Sequence, residues 1–179
     1  MELGFYRFAN KEPNKLAIVG PNEELVSRGE LLSKANKLTH ALRDLGLKKF
    51  DTVAVVLPNS VEYFVVYMAC LQAGFYLVPI NWHLAGPEIA YILEDSEAKA
   101  FIASGKNPDM EKACINAVSE ISFNKKGCIT IDELEGFRHI DDFTKSMPDE
   151  NPHDRSAGQV MNYTSGTTGK PKGVKRNLV

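Results

Sequence analysis

The chain reads as an α/β protein, a mostly parallel sheet layered with helices, and three observations predict it. Short apolar runs, with TVAVVL at 52–57 the clearest, alternate with stretches of helical hydrophobic period. Those runs are continuous where a half-exposed strand would alternate, which is the pattern of strands covered on both faces. The third is composition. With 179 residues, 44% hydrophobic and 25% charged, the chain is long enough for one sizeable core and is not a disordered sequence.

Residues 16–19 and 25–27, parted by Gly20, Pro21 and Asn22, read as a short hairpin. Ser27 and Glu30 then form an S-x-x-E capping box, and Leu31, Leu32, Ala35, Leu38, Leu42 and Leu45 recur at helical spacing until Gly46 stops the run. Lys34, Lys37 and Arg43 fall largely off that stripe and read as a solvated face. After the strand at 52–57, Pro58 and Asn59 turn the chain. Asn59 with Glu62 offers a helix start, and the apolar helix that follows ends near Gly74. A strand is expected at 75–80. Gly86 and Pro87 place proline in a first helical turn, with Ile89, Ile92 and Leu93 on one face. Residues 99–103 form a further strand, 108–121 a helix and 127–131 a short strand. Strands alternating with helices imply βαβ units. The stretch 145–158, KSMPDENPHDRSAG, has no hydrophobic period and reads as an exposed connection that delivers the chain to a last short strand at 159–163.

Several function classes are excluded. A net charge of -2 provides no broad basic face, so nucleic acid is not an expected partner. Cys70, Cys114 and Cys128 are odd in number and far apart, which fits buried thiols in a reducing compartment better than disulfides or a zinc site. His40, His83, His139 and His153 have no metal-ligand spacing, and no metal site is assigned to the chain. The start MELGFYRFAN lacks the features of a secretory signal. Residues 61–80 are apolar over about the length of a bilayer span, but Gly74, Pro79 and the absence of flanking basic clusters favour a buried helix followed by a buried strand. No transmembrane segment is expected and the cytoplasm is the default location.

The chemistry concentrates in residues 163–174, YTSGTTGKPKGV. Gly166, Gly169 and Gly173 allow positive φ and bring backbone N–H groups close to a ligand. Thr164, Ser165, Thr167 and Thr168 add rotating hydroxyls, and Lys170 and Lys172 add mobile positive charges. Such convergence suits a polyphosphate. It is not a Walker A loop, which needs four residues between its glycine and Gly-Lys where Gly166 and Gly169 are separated by two, and the GxGxxG pattern fails as well. Pro171 and Gly173 disfavour a helix directly after the glycines, so a helix N-terminus is not assumed. A plain flexible surface loop is the competing reading.

This stretch resembles the phosphate-binding signature of the adenylate-forming (AMP-binding) superfamily, which holds acyl-CoA synthetases, peptide-synthetase adenylation domains and firefly luciferase. Residues 26–56 resemble the opening helix and first sheet strand of acyl-CoA ligases, and Leu57-Pro58-Asn59-Ser60 the turn that follows. LQAGFYLVPIN at 71–81 is similar to the family's second core motif, and NWHLAGPEIAYILEDS at 81–96 is most similar to the fatty-acid-CoA ligase branch. One departure lies after Val174. Many relatives place a small hydroxyl residue and a histidine near the acyl site, whereas this chain continues Lys175-Arg176-Asn177-Leu178, so the histidine role is not carried over.

The resemblance implies an ATP-dependent acyl-CoA ligase using ATP, Mg2+ and coenzyme A on a carboxylic, fatty, acid. Thr164, Ser165, Gly166, Thr167, Thr168, Gly169, Lys170, Lys172 and Gly173 would hold the nucleotide. Residues 1–179 would be the N-terminal portion of the large AMP-binding domain, without the adenine and ribose contacts or the catalytic lysine, so no catalytic residue is assigned. These residues alone are expected to be inactive, to bind ATP weakly and to associate. The alternatives are a non-catalytic α/β binding or regulatory module, or an adenylating enzyme with another acceptor.

Overall fold

The continuous apolar runs become the inner strands of a six-stranded sheet in the computed structural model, which describes residues 4–164 and 170–177. In chain order the elements are α1 (Phe5–Lys11), β1 (Leu16–Val19), β2 (Leu25–Ser27), α2 (Arg28–Asp44), β3 (Thr52–Val56), α3 (Val61–Ala73), β4 (Tyr76–Pro79), α4 (Gly86–Asp95) and β5 (Ala98–Ala103). There follow α5 (Pro108–Glu120), β6 (Cys128–Thr130), β7 (Arg138–His139), α6 (Ile140–Thr144), β8 (Gln159–Val160), β9 (Asn162–Thr164) and β10 (Lys172–Val174). The large sheet has the order β7-β6-β5-β3-β4-β8, and every neighbouring pair in it is parallel. The expected α/β class with a mostly parallel sheet is what the chain forms; the antiparallel pairs β1-β2 and β9-β10 stand apart from it.

Side-chain alternation along the inner strands divides the core in two. Val53, Val55, Leu77, Ala100 and Ile102 face a cluster with Leu38, Leu42, Val66 and Ala69 from α2 and α3. Ala54, Val56, Val78, Phe101 and Ala103 face Ile89, Leu93, Cys114 and Ala117 from α4 and α5. With both faces covered, an unbroken TVAVV run is what the position demands. The crossover helices α3 and α4 thus lie on opposite faces, as in doubly wound folds.

Local chemistry sets the helix ends. Ser27 accepts from the Glu30 N–H at 3.2 Å while Glu30 accepts from the Ser27 N–H at 2.8 Å, so the expected capping box is present. The next helix differs from expectation: its N-cap is Ser60, not Asn59, with extended backbone and a hydroxyl accepting from the Tyr63 N–H at 3.2 Å. Adjacent Asn and Ser are both good caps, and spacing alone could not choose between them. Gly74 ends α3 at φ 75°, a left-handed conformation that glycine adopts without strain.

Four elements were not anticipated. Helix α1, strand β7, helix α6 and strand β10 are seven, two, five and three residues long, too short for a hydrophobic period to register. The expected strand at 159–163 is two strands in different sheets. Val160 pairs with Leu77 and the Met161 N–H still reaches the Leu77 carbonyl at 2.8 Å, after which β9 leaves to pair with β10.

Residues 145–158 contain no helix or strand and are mostly exposed, yet they are pinned across α2 and α3. Asn36 Nδ2 donates to the Asp149 carbonyl at 2.8 Å, and Arg155 Nε donates to Gln72 Oε1 at 3.0 Å. Arg43, read from the sequence as part of a solvated face, pairs with Asp154 at 2.6 Å instead. Gly158 then enters where a Cβ would stand 2.3 Å from the Cys70 carbonyl oxygen and 2.5 Å from that of Phe75. Only glycine fits there, and it sets β8 beside β4.

Candidate functional site

The hairpin β9-β10 begins where β8 runs out at its carboxyl end, the end of a parallel sheet at which open α/β folds take ligands. Its register puts Thr164 opposite Lys172, Tyr163 opposite Gly173 and Asn162 opposite Val174. Thr164 and Lys172 are both exposed and close the stem of the intervening loop. Lys170 is also exposed, its ammonium 4.9 Å from the centroid of the Tyr91 ring. Among the candidate residues, Thr164, Lys170, Lys172 and Gly173 therefore come together at one hairpin base. Ser165, Gly166, Thr167, Thr168 and Gly169 lie outside the described residues. The chain after the glycines is the strand Lys172–Val174, so no helix dipole follows the loop.

Gly173 packs closely against its cross-strand neighbour. A Cβ there would lie 3.0 Å from two Tyr163 ring atoms and 2.9 Å from Met161 Cε. Tyr163 is itself held, its hydroxyl donating to Asp95 Oδ2 at 2.6 Å. Burial pushes the Tyr163 phenol well above its ordinary pKa, and the Asp95 carboxylate adds to the shift, so the phenol remains a neutral donor. Tyr91 donates to the Pro171 carbonyl at 3.1 Å. On the far side of the stem, the Tyr76 hydroxyl donates to the Arg176 carbonyl at 2.6 Å and the Lys175 ammonium sits 4.7 Å from the Tyr76 ring centroid. A cleft of about 410 Å³ runs beside the stem, lined by Gln159, Val160, Asn162, Thr164, Val174 and Arg176.

The anchoring side chains Tyr76, Tyr91 and Asp95 were missed at sequence level. Tyr76 looked like ordinary strand core, and Tyr91 and Asp95 differ from other helix surface residues only in being four apart on one face of α4. A second groove, of about 350 Å³, has Lys34, Lys37, Lys145, Glu62 and Asp141 around an apolar floor. Charges of both signs face each other there, and it shares no residue with the hairpin. Among the described residues no group of three or more His, Cys, Asp and Glu is placed to hold a metal ion, and no helix is long and apolar enough to cross a membrane.

Comparison with known proteins adds the following. The family model described as AMP-binding enzyme matches residues 5–177. A long-chain-fatty-acid-CoA ligase of Mycobacterium tuberculosis is 31% identical over 170 residues, covering 93% of this chain and 32% of the relative. A fatty acid-[acyl-carrier-protein] ligase of Streptomyces coeruleorubidus is 32% identical over 173 residues, covering 93% of this chain and 30% of the relative. Among solved structures, an anthranilate CoA ligase in complex with anthranoyl-AMP superposes with a TM-score of 0.79 at 25% identity, over 95% of this chain and 33% of that one. The chain thus spans about a third of the length of these relatives.

Proposed function

That the chain belongs to the family of AMP-binding enzymes is the premise from which we propose that the protein carrying it is an acid-thiol ligase. It activates a carboxylic acid with ATP. A carboxylate oxygen attacks the α-phosphorus and pyrophosphate leaves; the thiol of coenzyme A then attacks the acyl carbonyl and AMP leaves. Fatty acids are the proposed substrate class, because a relative at 31% identity is by name a long-chain-fatty-acid-CoA ligase. The cytoplasm, where ATP and coenzyme A are both at hand, is the proposed location.

The observation that carries the reading is the hairpin base, where a Thr164 hydroxyl and the Lys172 and Lys170 ammonium groups border one loop. A polyphosphate fits such a donor set, since hydroxyls rotate to meet its oxygens and lysines act as point charges. Thr164, Ser165, Gly166, Thr167, Thr168, Gly169, Lys170, Lys172 and Gly173 are the proposed phosphate-binding residues. Magnesium, bound with the nucleotide, supplies further neutralisation of phosphate charge. The chain's own part is to hold the β and γ phosphates still while charge shifts toward the leaving pyrophosphate.

A second reading concerns the acceptor alone. The relative at 32% identity is by name a fatty acid-[acyl-carrier-protein] ligase, so a carrier-protein thiol could replace coenzyme A without change at the phosphate hairpin. Both readings share the first half-reaction, which is the one to measure. In the complete protein, Thr167→Ala, Thr168→Ala and Lys172→Ala should each lower ATP-pyrophosphate exchange by at least about tenfold. Unchanged exchange in all three would remove the loop from the mechanism. Supplying coenzyme A or a carrier protein in the second step separates the acceptors.

A further inference from the structure

We propose that Tyr91 and Asp95 of α4 are positioning residues that clasp both stems of the phosphate loop, an inference that rests on the function proposed above. A hairpin with three paired positions in each strand, belonging to no larger sheet, is marginal by itself. Preorganised donors need stems that do not move. Helix α4 provides the fixed mount, because Ile89, Ile92 and Leu93 are buried against the sheet and Pro87 lies in its first turn. Gly86 brings its start so close to α5 that a Cβ would stand 2.9 Å from Asn116 Cβ and 3.2 Å from the Ala113 carbonyl oxygen.

From that mount two side chains one helical turn apart reach the hairpin. Asp95 accepts the Tyr163 hydroxyl at 2.6 Å, one residue before Thr164. Tyr91 reaches the other stem: its hydroxyl donates to the Pro171 carbonyl at 3.1 Å and its ring face lies under the Lys170 ammonium. Asp95 Oδ1 is 3.5 Å from the Tyr91 hydroxyl, at the outer limit for a hydrogen bond, so the single Tyr91 proton goes to Pro171. The outgoing and returning strands are thereby tied to one rigid element. The cross-strand fit of Gly173 under the Tyr163 ring extends the tie, since the ring that Asp95 holds is also the ring packed against Gly173.

The test uses the complete protein with Asp95→Ala, Asp95→Asn, Tyr91→Phe, Tyr163→Phe and the Asp95→Ala/Tyr163→Phe double variant. Tyr91→Phe removes the donor to the Pro171 carbonyl and should speed amide exchange at Lys172 and Gly173. Amide hydrogen exchange at Tyr163, Thr164, Lys172 and Gly173 reports the clasp directly. Pyrophosphate-exchange kinetics report its use. Asp95→Ala and Tyr163→Phe should each speed amide exchange in the stem and raise KM for MgATP by about three- to tenfold, with KM for the carboxylic acid unchanged. Asparagine keeps an oxygen to accept the Tyr163 proton, so Asp95→Asn should restore most of both readouts. The double variant should be no worse than either single one, because both remove the same bond. Unaltered amide rates in Asp95→Ala and Tyr163→Phe overturn the Asp95 tie, and unaltered rates in Tyr91→Phe overturn the Tyr91 tie, whether or not the enzyme turns over. Faster exchange of the amides with an unaltered KM for MgATP, or equal rises in KM for both substrates, overturns its part in nucleotide handling. A parent protein that lacks pyrophosphate exchange defeats the proposed function instead, and the amide rates still decide the clasp.

Discussion

Replacing Gln72 with leucine should destabilise the protein by about 1 to 3 kcal/mol, through a buried polar network far from any proposed ligand. Gln72 is 2% exposed and Asn36 1%. The Gln72 amide donates to Asn36 Oδ1 at 3.0 Å and to Thr39 Oγ1 at 2.8 Å, and its oxygen accepts from Arg155 Nε at 3.0 Å. Leucine has nearly the same volume, so no large cavity opens. What changes is that Asn36 Oδ1 stays buried without that donor, a cost of about 1 to 3 kcal/mol, and Arg155 loses one acceptor, a cost near the low end because its guanidinium also reaches Asn151 at 2.6 Å. The apolar gain from leucine offsets about 1 kcal/mol of the sum. At this size that corresponds to a fall in Tm of about 2 to 12 °C. Urea unfolding followed by circular dichroism measures it. A loss below about 0.5 kcal/mol, or a rise in Tm, would show that the network contributes no net stability and that the connection over 145–158 is held by its other contacts.

Gly158→Ala should be at least as damaging, because its Cβ meets two backbone carbonyl oxygens that cannot rotate away; thermal unfolding of the variant checks this. Ser60→Ala should cost about 1 kcal/mol and Asn59→Ala much less, and the reverse order in denaturant titrations would return the N-cap of α3 to Asn59. Burial pushes the Cys114 thiol up to about 12, with the Asp132 charge adding, and the Cys128 thiol up to about 11. Both folded values lie above the unfolded one, so the stabilisation is complete below about pH 8.5 and is lost as pH rises beyond it, with unfolding midpoints falling from about pH 9 toward 11. Iodoacetamide labelling at pH 8 should be slow until denaturant is added; labelling at the unfolded rate would contradict the burial.

What could be read in the sequence was what repeats or what is chemically special. Leu31, Leu38 and Leu42 announce α2 because a period over seventeen residues leaves little choice, and the continuous TVAVV run announces a strand covered on both faces. The glycine-rich loop announces itself by composition. Helices α1 and α6 and strand β7 did not, since they owe their form to what they pack against. The break at Met161 was likewise hidden. Residues 159–163 look like one strand, and only the presence of β10 on one side and β4 on the other divides them between two sheets.

The candidate site was legible only on its ligand side. Hydroxyls, glycines and lysines within twelve residues carry their chemistry in their names, but the side chains that hold the stem lie elsewhere in the sequence, Tyr91 about 80 residues from Pro171 and Tyr76 about 100 from Arg176. A tyrosine on a helix and a tyrosine at a strand start have no local signature of a partner so distant. Their roles follow from topology. The crossover between β4 and β5 sets α4 on one face of the sheet, β8 adds beside β4, and the hairpin leaving β8 then meets the last turn of α4. The parallel order of the sheet is therefore what brings an acidic side chain on α4 within hydrogen-bond reach of the strand that opens the proposed phosphate loop.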